Sequence, residues 1–257
     1  MEFNLKLGVC ACVQGLYLPL NSLRSPPPGV RSGAKLTTCA PPGGERSDRV
    51  SGKLEFFARN GVSVNVTLTR TDLSRIPSLK PEQLSERQRK LATEIGASRG
   101  GSMALGGPWG LLLRNPELCE RAAILGTMLR DATSVPKRLS EIAIAMTARF
   151  WDSQFEWYAH APQALRAGVS REIIEAIRDR RRPPFERRDE EAAYEYLSEL
   201  YAAKRVSAKT YQRLIEEIGQ EAAIELTTIA GFYSTVAMLL VAFEVALPQG
   251  ITPSLPE

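Results

Sequence analysis

The stretch LSEIAIAMTARFWDSQFEWYAHAPQAL, residues 139–165, decides the fold. Its first half, Leu139 to Phe150, is apolar nearly all round, the pattern of a helix with other helices on every side. Its second half returns to a helical period after a capping residue, Asp152 or Ser153, with Phe155, Trp157 and Tyr158 close together. Two helices joined by so tight a connection pack antiparallel, so the stretch reads as a helical hairpin at the centre of a bundle.

The helical period continues on both sides. Upstream, Pro81 is expected to open a helix to about Ile95. Asn115-Pro116-Glu117 joins an N-cap, a Pro at the first position and an acidic first turn, for a helix to about Arg130. Ser134-Val135-Pro136 starts the central helix. Downstream, Gly168 ends the second helix, and Ser170-Arg171-Glu172 opens a short one that RRRPP, residues 180–184, breaks. Arg188 to Arg205 follows, with Ala193, Leu197, Leu200 and Tyr201 at helical spacing. Ser207 caps a helix to Ile218 that Gly219 closes, and the last helix runs from Glu221 to about Val245. Seven or eight helices with short connections predict an all-α domain over residues 73–257, and no repeat of fixed period is visible.

Residues 1–72 are different. Pro26-Pro27-Pro28 and Pro41-Pro42-Gly43-Gly44 punctuate a stretch too poor in apolar residues to offset the entropy of ordering it. Val62 to Leu68 alternates apolar and polar residues, a lone strand signal with no obvious partner. The expectation is a largely irregular extension. It holds nine Lys/Arg against five Asp/Glu, which leaves 24 of each in residues 73–257. The excess of +4 therefore sits outside the helical domain, which removes the electrostatic case for nucleic acid. Three of the four cysteines, Cys10, Cys12 and Cys39, lie there too, and Cys119 alone can form no disulfide within the domain. A reducing, cytoplasmic setting is expected. Leu7 to Leu20 lacks the basic start and cleavage site of a signal sequence. Ile229 to Leu247 is long enough to span a bilayer, but Tyr233, Ser234, Thr235 and Glu244 make it a core helix, and no membrane association is expected.

Three side chains carry the best candidate chemistry. Glu141 is the one acidic residue of an apolar helix, where an unpartnered carboxylate is costly. Glu156 and His160 are four residues apart and share a helix face, and His160 is the only histidine in the chain. Plainer readings stand beside these: Glu141 as an acid favoured by the dipole of a helix start, and His160 as a satisfied core histidine. Pro162 leaves the Tyr158 carbonyl without its usual helical partner, a local bend next to the pair.

Beyond these residues, LSRIPSL from Leu73, PWGLLLRNPELCERAAILGTML, RLSEIAIAMTARFWDSQFEWYAHAPQALRAGVSREIIEAI and ELTTIAGFYSTVAMLLVAFEV together resemble the carboxymuconolactone decarboxylase family. Its superfamily includes the AhpD-type alkylhydroperoxidases. The resemblance covers residues 73–247, and the E…EW…HAP…A…G pattern is its most diagnostic part. It implies an AhpD-like all-α bundle, a small-molecule substrate, no cofactor or metal, and a homo-oligomer, trimeric or hexameric.

In the alkylhydroperoxidase branch a Glu precedes a CxxC pair and then a His. These positions fall on Glu141, on Ser153 and Glu156, and on His160, so both thiols are missing and Cys119 is too far along the chain to replace one. The decarboxylase branch, which pairs an acid with a His one turn on, is the better match. It implies a lyase acting by proton chemistry on a small carboxylated or lactone-containing molecule, with His160 between Glu141 and Glu156 as donor. Arg138 or Arg149 would anchor the substrate carboxylate, and Trp157, Trp109 and Tyr233 would line the pocket. Other classes stay open: a divalent metal held by Glu141, Glu156 and His160, an alkylhydroperoxidase-like antioxidant without its CxxC pair, or a non-catalytic small-molecule-binding oligomer. The basic run Arg178 to Arg188 reads as a solvated loop.

Overall fold

The computed structural model describes residues 74–101 and 103–256, together with three strands nearer the N-terminus. The chain divides into two compact units, Met1–Thr69 and Arg70–Glu257.

In the first unit β1 (Leu36–Thr37), β2 (Lys53–Phe57) and β3 (Ser63–Thr67) form an antiparallel sheet in that order. The strand expected at Val62 to Leu68 therefore has a partner in β2. The register sets Leu54 opposite Val66 and Phe56 opposite Val64. KLEFF, with Leu54 and Phe56 at a spacing of two, is the partner strand. The Pro-rich stretches of residues 21–52 and the segment Leu7 to Leu20 lie outside the described residues, apart from β1.

In the second unit every described element is helical: α1 (Glu86–Ala97), α2 (Gly107–Leu112), α3 (Pro116–Asp131), α4 (Lys137–Phe150), α5 (Gln154–Arg166), α6 (Arg171–Arg178), α7 (Arg188–Ala203) and α8 (Ala208–Ala242). The expected caps form. Asn115, Ser153, Ser170 and Ser207 each accept a backbone N–H from the residue three further on. Two boundaries move. Pro81 opens only a single 3₁₀ turn, Pro81–Gln83, and α1 begins at a capping box in which Ser85 and Gln88 each accept the other's backbone N–H. The last helix ends at Ala242, short of Val245, and Glu244 takes a left-handed conformation at φ 50°. The short α2, unmarked by any long apolar period, was not expected.

Gly219 interrupts α8 with φ 81° and ψ 167°, so the two helices read from the sequence are continuous except at this residue. A Cβ there would meet nothing within 4 Å, so the backbone angle, rather than space, is what suits glycine.

The core is built around α4. Every residue from Leu139 to Arg149 is buried, and the helix packs against α5, α6, α7 and α8. Removing a large side chain such as Ile142 from this position costs about 2–5 kcal/mol. The C-terminal tail returns to this hairpin: the Gln154 amide pairs with the Leu255 backbone at 2.9 and 3.0 Å, and the Leu255 side chain enters the core. α8 is long and apolar enough to cross a membrane by length and composition alone. Its Ala222, Leu226, Ile229, Tyr233, Val236 and Leu240 are buried at three- to four-residue spacing, whereas Ile224, Met238 and Val241 are exposed.

Candidate active site

Glu141 lies one turn into α4, at the fourth position after Lys137. It is therefore not a first-turn acid, and the helix-start reading does not account for it. Its carboxylate is almost wholly buried and has two partners: Lys137 Nζ at 3.0 Å from Oε1 and His160 Nδ1 at 3.0 Å from Oε2. Burial alone would raise this carboxyl, but the His160 and Lys137 interactions outweigh it and hold the group below the usual range. An ionised carboxylate only accepts, so Nδ1 donates to Glu141 and the imidazole is fixed in orientation.

That orientation turns Nε2 toward the next turn of the same helix. Glu156 Oε1 stands 3.5 Å from Nε2, a close electrostatic contact just beyond hydrogen-bond length. Glu156 is buried and, among the described residues, has no cationic partner bonded to it. Burial, reinforced by the Glu141 charge and opposed by His160, pushes its carboxyl up to about 7. The two carboxylates thus flank one imidazole and titrate far apart, the usual sign of an acid–base assignment set by environment. Tyr233 closes the fourth side, its ring edge-on to His160 with centroids 4.9 Å apart and interplanar angle 80°.

The three groups form a row, Glu141–His160–Glu156, and do not converge on one point. Each imidazole nitrogen addresses a different carboxylate, whereas a metal ligand set needs its lone pairs aimed at a common centre. Among the described residues no cluster of His, Cys, Asp and Glu has the geometry to hold a metal ion.

The remaining expected residues separate. Tyr233 is at the site. Trp157 is buried in the main core cluster, and Trp109 borders a second cluster with α1 and α3 residues. The two arginines expected to anchor a carboxylate each have partners within the helical unit. Arg138 is paired with Asp189 and lies 3.2 Å from Glu190, tying α4 to α7. Arg149, nearly buried, pairs with Asp152 and donates to the Arg178 carbonyl at 2.6 Å. Their positions on an apolar helix favoured inward-facing ion pairs over a free anion site. Lys137 was missed, although its spacing of four from Glu141 was readable as a helical ion pair.

Ser153 caps α5. Cys119 is fully buried, and burial pushes its thiol up to about 11, where the thiolate is scarce at neutral pH. A cleft of about 460 Å³ opens elsewhere, beside Tyr194, Glu195, Lys209 and Arg213, and no site residue lines it.

No family model matches the chain, and no curated protein matches its sequence. Solved structures of similar shape include a cysteine variant of the debrominase Bmp8 in complex with 2,3,4-tribromopyrrole. It aligns with a TM-score of 0.55 and 15% identity over 67% of this chain and 90% of that one. The apo form of Bmp8 aligns with a TM-score of 0.53 at 15% identity, over 67% and 91%. At this identity the likeness is one of fold, and the helical unit has the AhpD-like all-α fold.

Proposed function

We propose that this chain is a lyase of the carboxymuconolactone decarboxylase type, acting by acid–base chemistry on a small carboxylated or lactone-containing molecule. The observation that carries the reading is the imidazole held between two buried carboxylates of opposite character, one ionised and one titrating near neutrality. In a decarboxylation the substrate carboxylate leaves as carbon dioxide and its bonding electrons remain on carbon, delocalised toward the lactone carbonyl. The carbanion then takes one proton. Glu141 holds His160 in place, and the Glu156–His160 pair stores the proton that His160 delivers. An apolar surround disfavours the charged substrate carboxylate and so favours its loss. The tribromopyrrole bound by the debrominase is a small planar ring of the same size class.

The thiol peroxidase alternative needs an accessible thiolate with a resolving partner, and Cys119 is the one cysteine among the described residues, buried and protonated. The test is carbon dioxide release from a panel of lactone acids by the purified full chain. Turnover unaffected by chelator is expected. Loss with chelator, restored by a divalent ion, favours the metal reading. Thiol-dependent peroxide reduction that disappears in Cys119→Ser overturns the assignment.

Self-association belongs to the same proposal. Leu118, Ile124, Leu125 and Met128 on α3 and Ile224, Met238 and Val241 on α8 leave apolar surface exposed, which supports a homo-oligomer. Light scattering on the full chain should give a multiple of the chain mass, and a monomer at micromolar concentration counts against it.

A further inference from the structure

With Arg138 and Arg149 committed to internal pairs, the carboxylated substrate of the proposed reaction has no anchor. The arginine that meets the requirement lies on none of the hairpin helices. Arg99, just past α1, holds its guanidinium carbon 4.2 Å from the centre of the Trp109 ring. It donates only through Nη1, to the Ile95 carbonyl at 3.2 Å and Ser98 Oγ at 2.9 Å. Among the described residues no carboxylate lies within 4.0 Å of it, and Nε and Nη2 bond no acceptor. Those two nitrogens form one edge of the guanidinium, and their parallel N–H groups match the two oxygens of a carboxylate. The aromatic face behind and the Nη1 bonds hold that edge in a set orientation, so little freedom is lost on binding.

Aromatic side chains lie between this guanidinium and the imidazole. Trp109 and Phe232 both border Gly126, where an added Cβ would lie 3.8 Å from Trp109 and 2.9 Å from Phe232. Phe232 stands edge-on to Tyr233 at 5.5 Å, and Tyr233 edge-on to His160 at 4.9 Å. Tyr233 is thus in contact with the proton-handling row and lies within the field of Arg99 and Arg130. Both cations oppose the rise that burial and the two glutamates impose on its hydroxyl. Arg130 is answered by Asp131 at 2.7 Å, which leaves Arg99 as the unanswered charge.

We propose that Arg99, stacked on Trp109, is the specificity-determining residue that recognises the carboxylate of the substrate at the Glu141–His160–Glu156 site. The inference rests on the acid–base reading of that site, and it narrows the substrate to a planar anion with a carboxylate. A neutral molecule of the same shape leaves the Nε–Nη2 edge unpaired and gains nothing from the charge.

The test uses benzoate and its neutral isostere benzamide, titrated calorimetrically into the full chain. Benzoate is expected to bind at least tenfold more tightly than benzamide. Arg99→Ala should weaken benzoate by about 10- to 100-fold, as for a charged hydrogen-bonded contact, and leave benzamide unchanged. Arg99→Lys, which keeps the charge and loses the fork, should recover part of the affinity. Arg99 is exposed, so an unchanged circular dichroism spectrum is expected for both variants. Equal benzoate affinity in the parent and Arg99→Ala, or no benzoate binding at all, overturns the proposal. Turnover of a lactone acid with KM unchanged in Arg99→Ala overturns it while sparing the acid–base reading. Arg99-dependent benzoate binding without turnover on any lactone acid does the reverse.

Discussion

Two clusters in this fold use the same ingredients to opposite ends. On α7, Glu191 and Glu195 are four residues apart and are bridged by Arg182 and Arg213, with side chains 28–57% exposed. On α5, Glu156 and His160 are also four apart, joined by Glu141 from α4, with side chains 2–16% exposed. In the first cluster the arginines, Arg213 foremost, hold the Glu191 carboxyl below its usual range. In the second, Glu156 has lost water without gaining a hydrogen-bonded cation, and it rises to about 7. Charged neighbours at helical spacing therefore do not by themselves bring a carboxyl to titrate near neutrality. Exclusion of water around an incompletely matched carboxylate does.

The largest expected effect separates the clusters by activity. His160→Ala should lower carbon dioxide release from the best lactone acid by about 10²–10⁴-fold, the range for a general acid or base. Arg213→Ala, read in the same assay, should stay within twofold of the parent. Equal losses would erase the functional distinction.

Stability gives the next contrast. Glu141→Ala leaves Lys137 and His160 facing a buried gap and should cost about 3 kcal/mol in urea unfolding. Glu195→Ala, at a partly exposed network, should cost less than about 1 kcal/mol. A Glu141 variant as stable as the parent would mean that the buried pair contributes nothing net.

The pH dependence sharpens the role of Glu156. Its carboxyl titrates near 4.5 when unfolded and at about 7 when folded, so between these values the folded chain holds the extra proton. Stability from this group is complete below about pH 4.5 and is lost as pH rises through 7, by on the order of 3 kcal/mol. Glu156→Gln should flatten that decline and raise Tm at pH 8 more than at pH 5. It should also remove the limb near pH 7 from the rate profile. An unchanged profile would transfer the neutral titration to another group.

The smallest effect belongs to the exposed cluster. Arg213→Ala should destabilise by less than about 1 kcal/mol, and the difference from the parent should vanish near 1 M salt. A salt-independent loss would show that Arg213 acts by packing.

Residues 139–165 made the hairpin legible because burial on all sides leaves an apolar helix with few polar exceptions, and each exception must be accounted for. Glu141, Glu156 and His160 stood out for that reason. Arg138 and Arg149 stood out equally and proved to be tied to α7 and to the C-terminal end of α6, because a sequence shows that a buried charge needs a partner and not which partner it finds. Arg99 lay in an unremarkable run near Gly100 and Gly101 and carried no such signal. Its only mark is the ring of Trp109, ten residues away in the chain.

By itself the sequence determined the helical periods, the caps at Asn115, Ser153, Ser170 and Ser207, the break at Gly219 and the absence of a CxxC pair, all of which depend on neighbours within about four residues. The partner of each buried charge, the pairing of β2 with β3 and the contrast between Glu141 and Glu156 were decided only by the tertiary structure. Protonation depends on which groups from other elements arrive within a few ångströms and on how completely they exclude water, and neither is encoded in local spacing.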